Sequence, residues 1–396
     1  MATATLPPEG NLSMAIDSPV INPPFGGQPT TGQRAPAPLA ASPRTSQPRQ
    51  PQAAQIVAPR QIVVAKQTIP APAPGEVLVR VEGCGLCGSN LPVWEGREWF
   101  TYPLPPGNPG HEAWGRIIAF GADHPPVTDE TNSSRARDND GDNHGGNHSL
   151  QLGDRVAMLS YNGFADYDVA ALDAVVKLPE TLADQPFPGE PLACAFNVFE
   201  RSRIVAGEQV AIIGIGFLGA LLTALAAAAG AEVIAITRRP FALAMARRYG
   251  AAHTIVMDDH WQIVEQVQAL TNAEGCDCVI EAVGAQWPLD LAAELTKIRG
   301  RLIVAGYHQD GPRQVNMQQW NWRGLDVINA HEREPARYVA GMRAAVAAVA
   351  AGKLDLAPLF THRFHLNNLA QAFTTAAERP DGFMKALIMM DQVDRA

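Results

Sequence analysis

The apolar positions of this chain fall into two regimes, and the change between them divides it. Residues 75–82, Gly-Glu-Val-Leu-Val-Arg-Val-Glu, alternate apolar and polar as a half-buried strand does. Strand-like runs resume at residues 153–156 and continue to about residue 178. From residue 207 the texture changes. Residues 210–213 are a short apolar run, long enough for a buried strand, and residues 221–229 are almost wholly Leu and Ala, strong helix formers stopped by Gly230. Residues 232–236 make a second β-rich run, and residues 241–249 predict a helix ending at Gly250. Two more buried strands are expected at 276–284 and 300–307, with a helix around 289–297 between them. A short strand (325–329), a helix (335–351) and a strand near 386–389 complete the pattern. Strands alternating with helices imply a parallel sheet wound on both faces, so the fold class is α/β with a separate β-rich part.

The turn between the strand at 210–213 and its helix carries Gly214, Gly216 and Gly219 in the spacing GxGxxG, with Phe217 and Leu218 inside it. The flanking strand, the helix and the second strand are the context that makes this pattern a dinucleotide fingerprint. Gly214 permits the tight turn, Gly216 lets a pyrophosphate rest on the backbone, and Gly219 lets the helix pack on the strand. The helix N-terminus offers free N–H groups and a positive dipole end to the phosphates. At the end of the second strand an NAD site has an acid that bonds the ribose 2′-OH. Here Thr237, Arg238 and Arg239 stand there instead. Guanidinium groups pair with phosphate in a bidentate fork, so NADP is expected over NAD.

Composition narrows the picture. The chain has 396 residues, 46% hydrophobic and 18% charged, enough apolar material for two domains. A net charge of −9 argues against nucleic acid or an anionic membrane as partner. The first residues lack a basic region followed by an apolar core, and residues 218–229 are too short for a membrane span. Five cysteines, an odd number, make no disulfide framework, and a cytoplasmic location is expected. Residues 1–55 are rich in Pro, Ala, Gln, Ser and Thr and read as a disordered tail. Residues 123–150 are rich in Asp, Asn and Gly and read as an inserted surface loop, with His144 and His148 solvated within it.

Cys87, His111 and Glu190 are soft, borderline and hard ligand types of the kinds catalytic zinc takes, but their spacing alone does not assemble them. The ordered set GEVLVRVEGCGLCGSN, PGHEAWGRI, GDRV, EPLA, GIGFLG and VIEAVG resembles the zinc alcohol dehydrogenases of the medium-chain dehydrogenase/reductase family. The resemblance covers the chain from about residue 60 onward. It implies a GroES-like catalytic domain at 56–185 and 326–396, and a Rossmann NADP-binding domain at 186–325 between them. It also implies that Cys87, His111 and Glu190 bind one zinc, that the neighbouring Glu112 can swing onto the metal, and that Ser89 takes the substrate proton. Hydride would then pass between NADP(H) and an alcohol or carbonyl substrate, with polyols, sugars and cyclitols as candidates, in a homodimer or homotetramer.

Three departures stand out. Asn90 replaces an Asp that often orients the zinc histidine. Pro92 and Val93 occupy the region of a frequent relay histidine. The four-cysteine lobe is missing, so no structural zinc is expected. Cys84 forms CxxC with Cys87 outside the helix-start context of a redox motif, and Cys276 and Cys278 read as core. Trp94, Trp99, Phe100, Tyr102 and Trp114 cluster around the ligand segments, and Trp320, Trp322 and His331 fall near the return into the catalytic domain; both groups suit either core or substrate contact. The alternatives are a zinc-free quinone or enone reductase, against which the ligand set speaks, and a non-catalytic NADPH-binding protein.

Overall fold

The computed structural model describes residues 50–122 and 150–391. The tail up to residue 49 and the insert at 123–149, with His144 and His148, lie outside the described residues. The chain enters through a hairpin, β1 (Gln52–Ala58) and β2 (Gln61–Lys66). The expected tail therefore stops short of residue 55. Ala53, Ala54 and Ile56 are buried, which gives this segment a reason to order.

The catalytic part continues with β3 (Glu76–Gly85), α1 (Asn90–Glu95), β4 (Glu112–Phe120), β5 (Arg155–Met158), β6 (Tyr167–Ala171) and β7 (Val175–Lys177). Helix α2 (Gly189–Ser202) leads out of it. The nucleotide part runs β8 (Gln209–Ile213), α3 (Phe217–Ala228), β9 (Glu232–Thr237), α4 (Pro240–Arg248), β10 (His253–Val256), α5 (His260–Leu270), β11 (Cys276–Glu281), α6 (Gln286–Leu295), β12 (Thr296–Val304), α7 (Met317–Arg323) and β13 (Asp326–Asn329). The chain returns through α8 (Pro335–Ala350), β14 (His362–His365), α9 (Leu369–Glu378) and β15 (Ala386–Met389).

Two large sheets result. The six-stranded one has the order β10-β9-β8-β11-β12-β13 and is parallel throughout. The chain starts this sheet at its middle, so β8 and β11 flank the switch point where α/β sheets bind ligands beyond their carboxyl ends. Val210, Ala211, Ile212 and Ile213 are fully buried, as strands covered on both faces must be. The seven-stranded sheet has the order β14-β15-β3-β4-β5-β7, with β6 on β3. Its strand β15 pairs antiparallel with β3, Leu387 opposite Gly85, so both ends of the chain build the catalytic part. The α/β class with a GroES-like part and a Rossmann-type parallel sheet is thus what the fold displays.

One expected boundary moves. The strand assigned to the returning catalytic part, β13, is the edge strand of the parallel sheet, with Asp326 opposite Arg301 of β12. Its residues are largely exposed, so burial gave the sequence little periodicity to reveal where it pairs.

Candidate active site

The site lies where β3 ends, α1 begins and β4 begins. Cys87 sits in the turn after β3, Ser89 caps α1, and His111 immediately precedes β4. The Cys87 sulfur, a His111 ring nitrogen and a Glu112 oxygen all lie within 4.8 Å of one another. Glu112 is fully buried and paired with the buried Lys385, whose Nζ donates to Oε1 at 2.6 Å. Gly85 makes room for this carboxylate: a Cβ there would stand 1.8 Å from Glu112 Oε2.

The backbone fixes the histidine. His111 Nδ1 lies 2.9 Å from the Pro109 carbonyl, which can only accept, so Nδ1 carries a proton and Nε2 is the ring nitrogen that remains to meet a metal. Asn90, buried to 1% exposure, reinforces the arrangement. Its Nδ2 donates to Pro109 O at 3.1 Å and its Oδ1 accepts from Cys87 N at 3.0 Å. The carbonyl thus takes over the orienting task that an aspartate would perform, and Asn90 ties the two ligand segments together.

Electrostatics match a cation site. Burial alone would lower the pKa of His111, but the Cys87 sulfur and the Glu190 and Glu112 carboxylates outweigh it and push the imidazole up to about 10. Glu190 opens α2, and burial raises its carboxyl while His111 opposes the shift. Glu190 stands outside the close triad. Its Oε1 accepts from Cys194 Sγ at 3.3 Å, and that sulfur lies 3.4 Å from Tyr338 Oη. One thiol, one imidazole and two carboxylates form a mixed S/N/O donor set that fits zinc.

The aromatic residues divide. Trp94 is buried and stacks on Phe373 with ring centres 5.4 Å apart, and Trp114 is 1% exposed, so both are core. Tyr102 donates through its hydroxyl to the Val93 carbonyl. Trp99 is half exposed, and Phe100 lies 6.0 Å from it between ring centres. His331 meets Tyr307 at 5.3 Å, Trp320 packs on the core of the nucleotide part, and Trp322 is exposed. Cys84, Cys276 and Cys278 are buried, and all five cysteines are free thiols.

At the glycine turn, a Cβ on Gly219 would lie 2.0 Å from Gly214 O, and one on Gly214, at φ +96°, would lie 2.4 Å from Val283 Cγ2. Gly216 has nothing within 4 Å of its missing Cβ, which leaves room for a ligand. Leu218 packs against the core, while Phe217 stacks on Phe360 and lies under Lys385 Nζ at 4.9 Å. The two arginines after β9 part company. Arg238 is exposed, with its guanidinium 5.0 Å from the Trp287 ring centre. Arg239 turns inward and donates to the carbonyls of Phe383 and Ile215, the latter at 3.3 Å. Thr237 is buried at the strand end. Of the two arginines expected to pair with phosphate, Arg239 is engaged with backbone carbonyls and Arg238 is the exposed one.

Lys385 is the principal site residue that the sequence reading missed. Its signal was a lone lysine entering an apolar final strand, which needs a buried partner. The Pro109 carbonyl, a backbone group, had no signal.

Comparison with known proteins gives the family. Residues 73–180 match the alcohol dehydrogenase GroES-like domain and residues 218–348 the zinc-binding dehydrogenase family. The chain is 27% identical over 342 residues to 2-dehydro-3-deoxy-L-galactonate 5-dehydrogenase of Pseudoalteromonas atlantica, covering 85% of this chain and 98% of that one. It is 26% identical to sorbitol dehydrogenase of Gallus gallus, covering 83% and 93%. Its fold superposes with a TM-score of 0.70 on a zinc-binding dehydrogenase of Sinorhizobium meliloti bound to NADP, at 25% identity and covering 86% and 99%. Among the described residues no helix is long and apolar enough to cross a membrane.

Proposed function

We propose, for a chain that belongs to the zinc-type alcohol dehydrogenases of the medium-chain dehydrogenase/reductase family, that Cys87, His111 and Glu112 hold one zinc and that NADP(H) fills the crevice above β8 and β11. The chain is an NAD(P)-dependent oxidoreductase acting on an alcohol. The substrate class we assign is a polyol, sugar or cyclitol. Support comes from the names of the sugar-acid and sorbitol relatives. The observation that carries the reading is the close Cys87–His111–Glu112 triad.

Zinc, when bound, supplies a Lewis acid that polarises the alcohol oxygen and lowers its pKa. The chain's own residues do the rest. The Pro109 carbonyl holds His111 in its ligating tautomer. Lys385 neutralises one buried carboxylate, and Glu190 stands by on α2 as a further ligand. Ser89, half-buried at the head of α1, carries the proton away from the substrate. The glycine turn receives the pyrophosphate, and Arg238 pairs with the 2′-phosphate of NADP, which no carboxylate at the strand end repels.

Steady-state assays of polyols with NADP and with NAD test this. Arg238→Ala should raise the KM for NADP about tenfold and leave NAD nearly unchanged, since a charged hydrogen bond is worth about 1.5–3 kcal/mol. Equal loss with both cofactors would sink the assignment of Arg238.

The assembly we assign is a homodimer or homotetramer in the cytoplasm. The free thiols suit a reducing compartment. The outer edge of β13, unpaired among the described residues and carrying the exposed Val327, suits self-association. Sedimentation of a single monomeric species would contradict the assembly.

A further inference from the structure

At the carboxyl end of β11, Glu281 is fully buried and accepts several hydrogen bonds. Its Oε1 accepts from Val283 N and Gly284 N, each at 2.7 Å, and its Oε2 accepts from His308 Nε2 at 2.9 Å. His308 Nδ1 in turn accepts from Arg313 Nε at 3.0 Å, and Arg313 Nη2 donates to Gly284 O at 3.0 Å. A ring nitrogen facing a carboxylate donates, and one facing a guanidinium accepts, so these partners specify one neutral tautomer of His308. The backbone is pressed together at the same place. A Cβ on Gly306 would stand 2.2 Å from Gly284 N, and one on Gly284 would stand 2.5 Å from Tyr307 O.

The loops leaving β11 and β12 are thus locked to each other through one carboxylate, one imidazole and one guanidinium. Val283 forms the wall directly across from the glycine turn, since its Cγ2 lies 2.4 Å from where a Gly214 Cβ would be. The outer end of residues 307–313 is fastened more loosely. Asp310 lies 3.9 Å from Arg313 and 3.9 Å from Arg97 of the catalytic part, at the exposed rim.

We propose that His308 and Arg313 are positioning residues for the nucleotide: through Glu281 they hold the Val283–Gly284 wall against the glycine turn at the spacing that admits a dinucleotide. The inference rests on the reading of this crevice as the NADP(H) site. A buried carboxylate is tolerated only when its acceptors are filled. Loss of the histidine therefore frees the wall as well as one bond.

The test is NADPH titration of the zinc-loaded full chain by fluorescence, with melting temperature and zinc content measured in parallel. His308→Phe fills the space with neither donor nor acceptor and should weaken NADPH about tenfold or more, the worth of one or more such bonds. His308→Gln retains one donor and one acceptor and should restore most of the affinity. Arg313→Ala should weaken NADPH in the same direction and raise its KM more than it lowers kcat. Asp310→Asn should change little, because exposed pairs contribute little. Wild-type affinity in both His308→Phe and Arg313→Ala would overturn the inference while leaving the dinucleotide site intact. Absence of NADPH and NADH binding by the wild-type chain would overturn that site and the inference with it.

Discussion

Replacing Gly216 by Ala should separate binding from folding. Gly216 has φ −91° and ψ −160°, a conformation alanine adopts freely, and no atom lies within 4 Å of its missing Cβ. Alanine narrows the unfolded ensemble, a gain of about 0.4–1 kcal/mol. It is also a poorer residue than glycine at the helix cap, so the two effects nearly cancel and stability should stay within about 1 kcal/mol of wild type. The new methyl nevertheless stands where a pyrophosphate must approach the backbone. Loss of one charged hydrogen bond to the phosphate, about 1.5–3 kcal/mol, weakens NADPH about 10- to 150-fold. Gly219→Ala should behave oppositely toward stability. Its Cβ would meet Gly214 O at 2.0 Å, and that neighbour is backbone, so α3 must move off the turn. Overpacking of this kind costs about 1–3 kcal/mol, or roughly 2–12 °C in melting temperature. Differential scanning fluorimetry and NADPH fluorescence titration on both variants read the two effects. A Gly216→Ala variant that binds NADPH as wild type does would refute the assignment of this turn as the pyrophosphate cradle. A Gly216→Ala variant as unstable as Gly219→Ala would refute the geometry.

Two further outcomes follow from buried and half-buried charges. Lys385→Met leaves Glu112 as an uncompensated buried carboxylate and should cost the zinc-free chain about 3–5 kcal/mol. Added zinc should recover much of this loss by supplying the missing positive charge, and melting curves with the same deficit with and without zinc would contradict the pairing. The Asp277 carboxyl is raised by burial, but its bonds from Lys297 and Gln209 N outweigh that and hold it below its usual value. Its folded pKa is depressed, so its contribution is present above the unfolded value and disappears as pH falls through the folded one. Urea unfolding from pH 7 to pH 3 should therefore show a shallower acid loss in Asp277→Asn than in wild type; parallel curves would show that the carboxylate contributes nothing.

The nucleotide half of the fold was legible because its signals are local. The strands β8 and β9, the helix α3 and the glycine turn between them lie within residues 207–240, and burial on both faces gave them continuous apolar runs. Residues 52–55 of β1 were merged with the tail because they are all Ala and Gln, and the inward Ala53 and Ala54 carry little hydrophobic signal. Cys87, His111 and Glu112 were found through motif resemblance, since 24 positions separate Cys87 from His111 and only the antiparallel pairing of β3 with β4 brings them together. The Glu112–Lys385 pair spans 273 positions and depends on β15 closing against β3, so no local pattern announces it. Arg238 and Arg239 are adjacent and chemically alike. Their opposite orientations arise from the carbonyls of Ile215 and Phe383, which only the folded chain presents.

The central claim is that this cluster holds catalytic zinc, and elemental analysis of protein purified without chelators tests it most directly. Wild-type protein should carry about one zinc per chain, the amount for a single catalytic site. Cys87→Ser should lose it while keeping wild-type NADPH affinity, because the glycine turn is untouched. Wild-type protein without zinc, or a Cys87→Ser variant that retains it, would contradict the account.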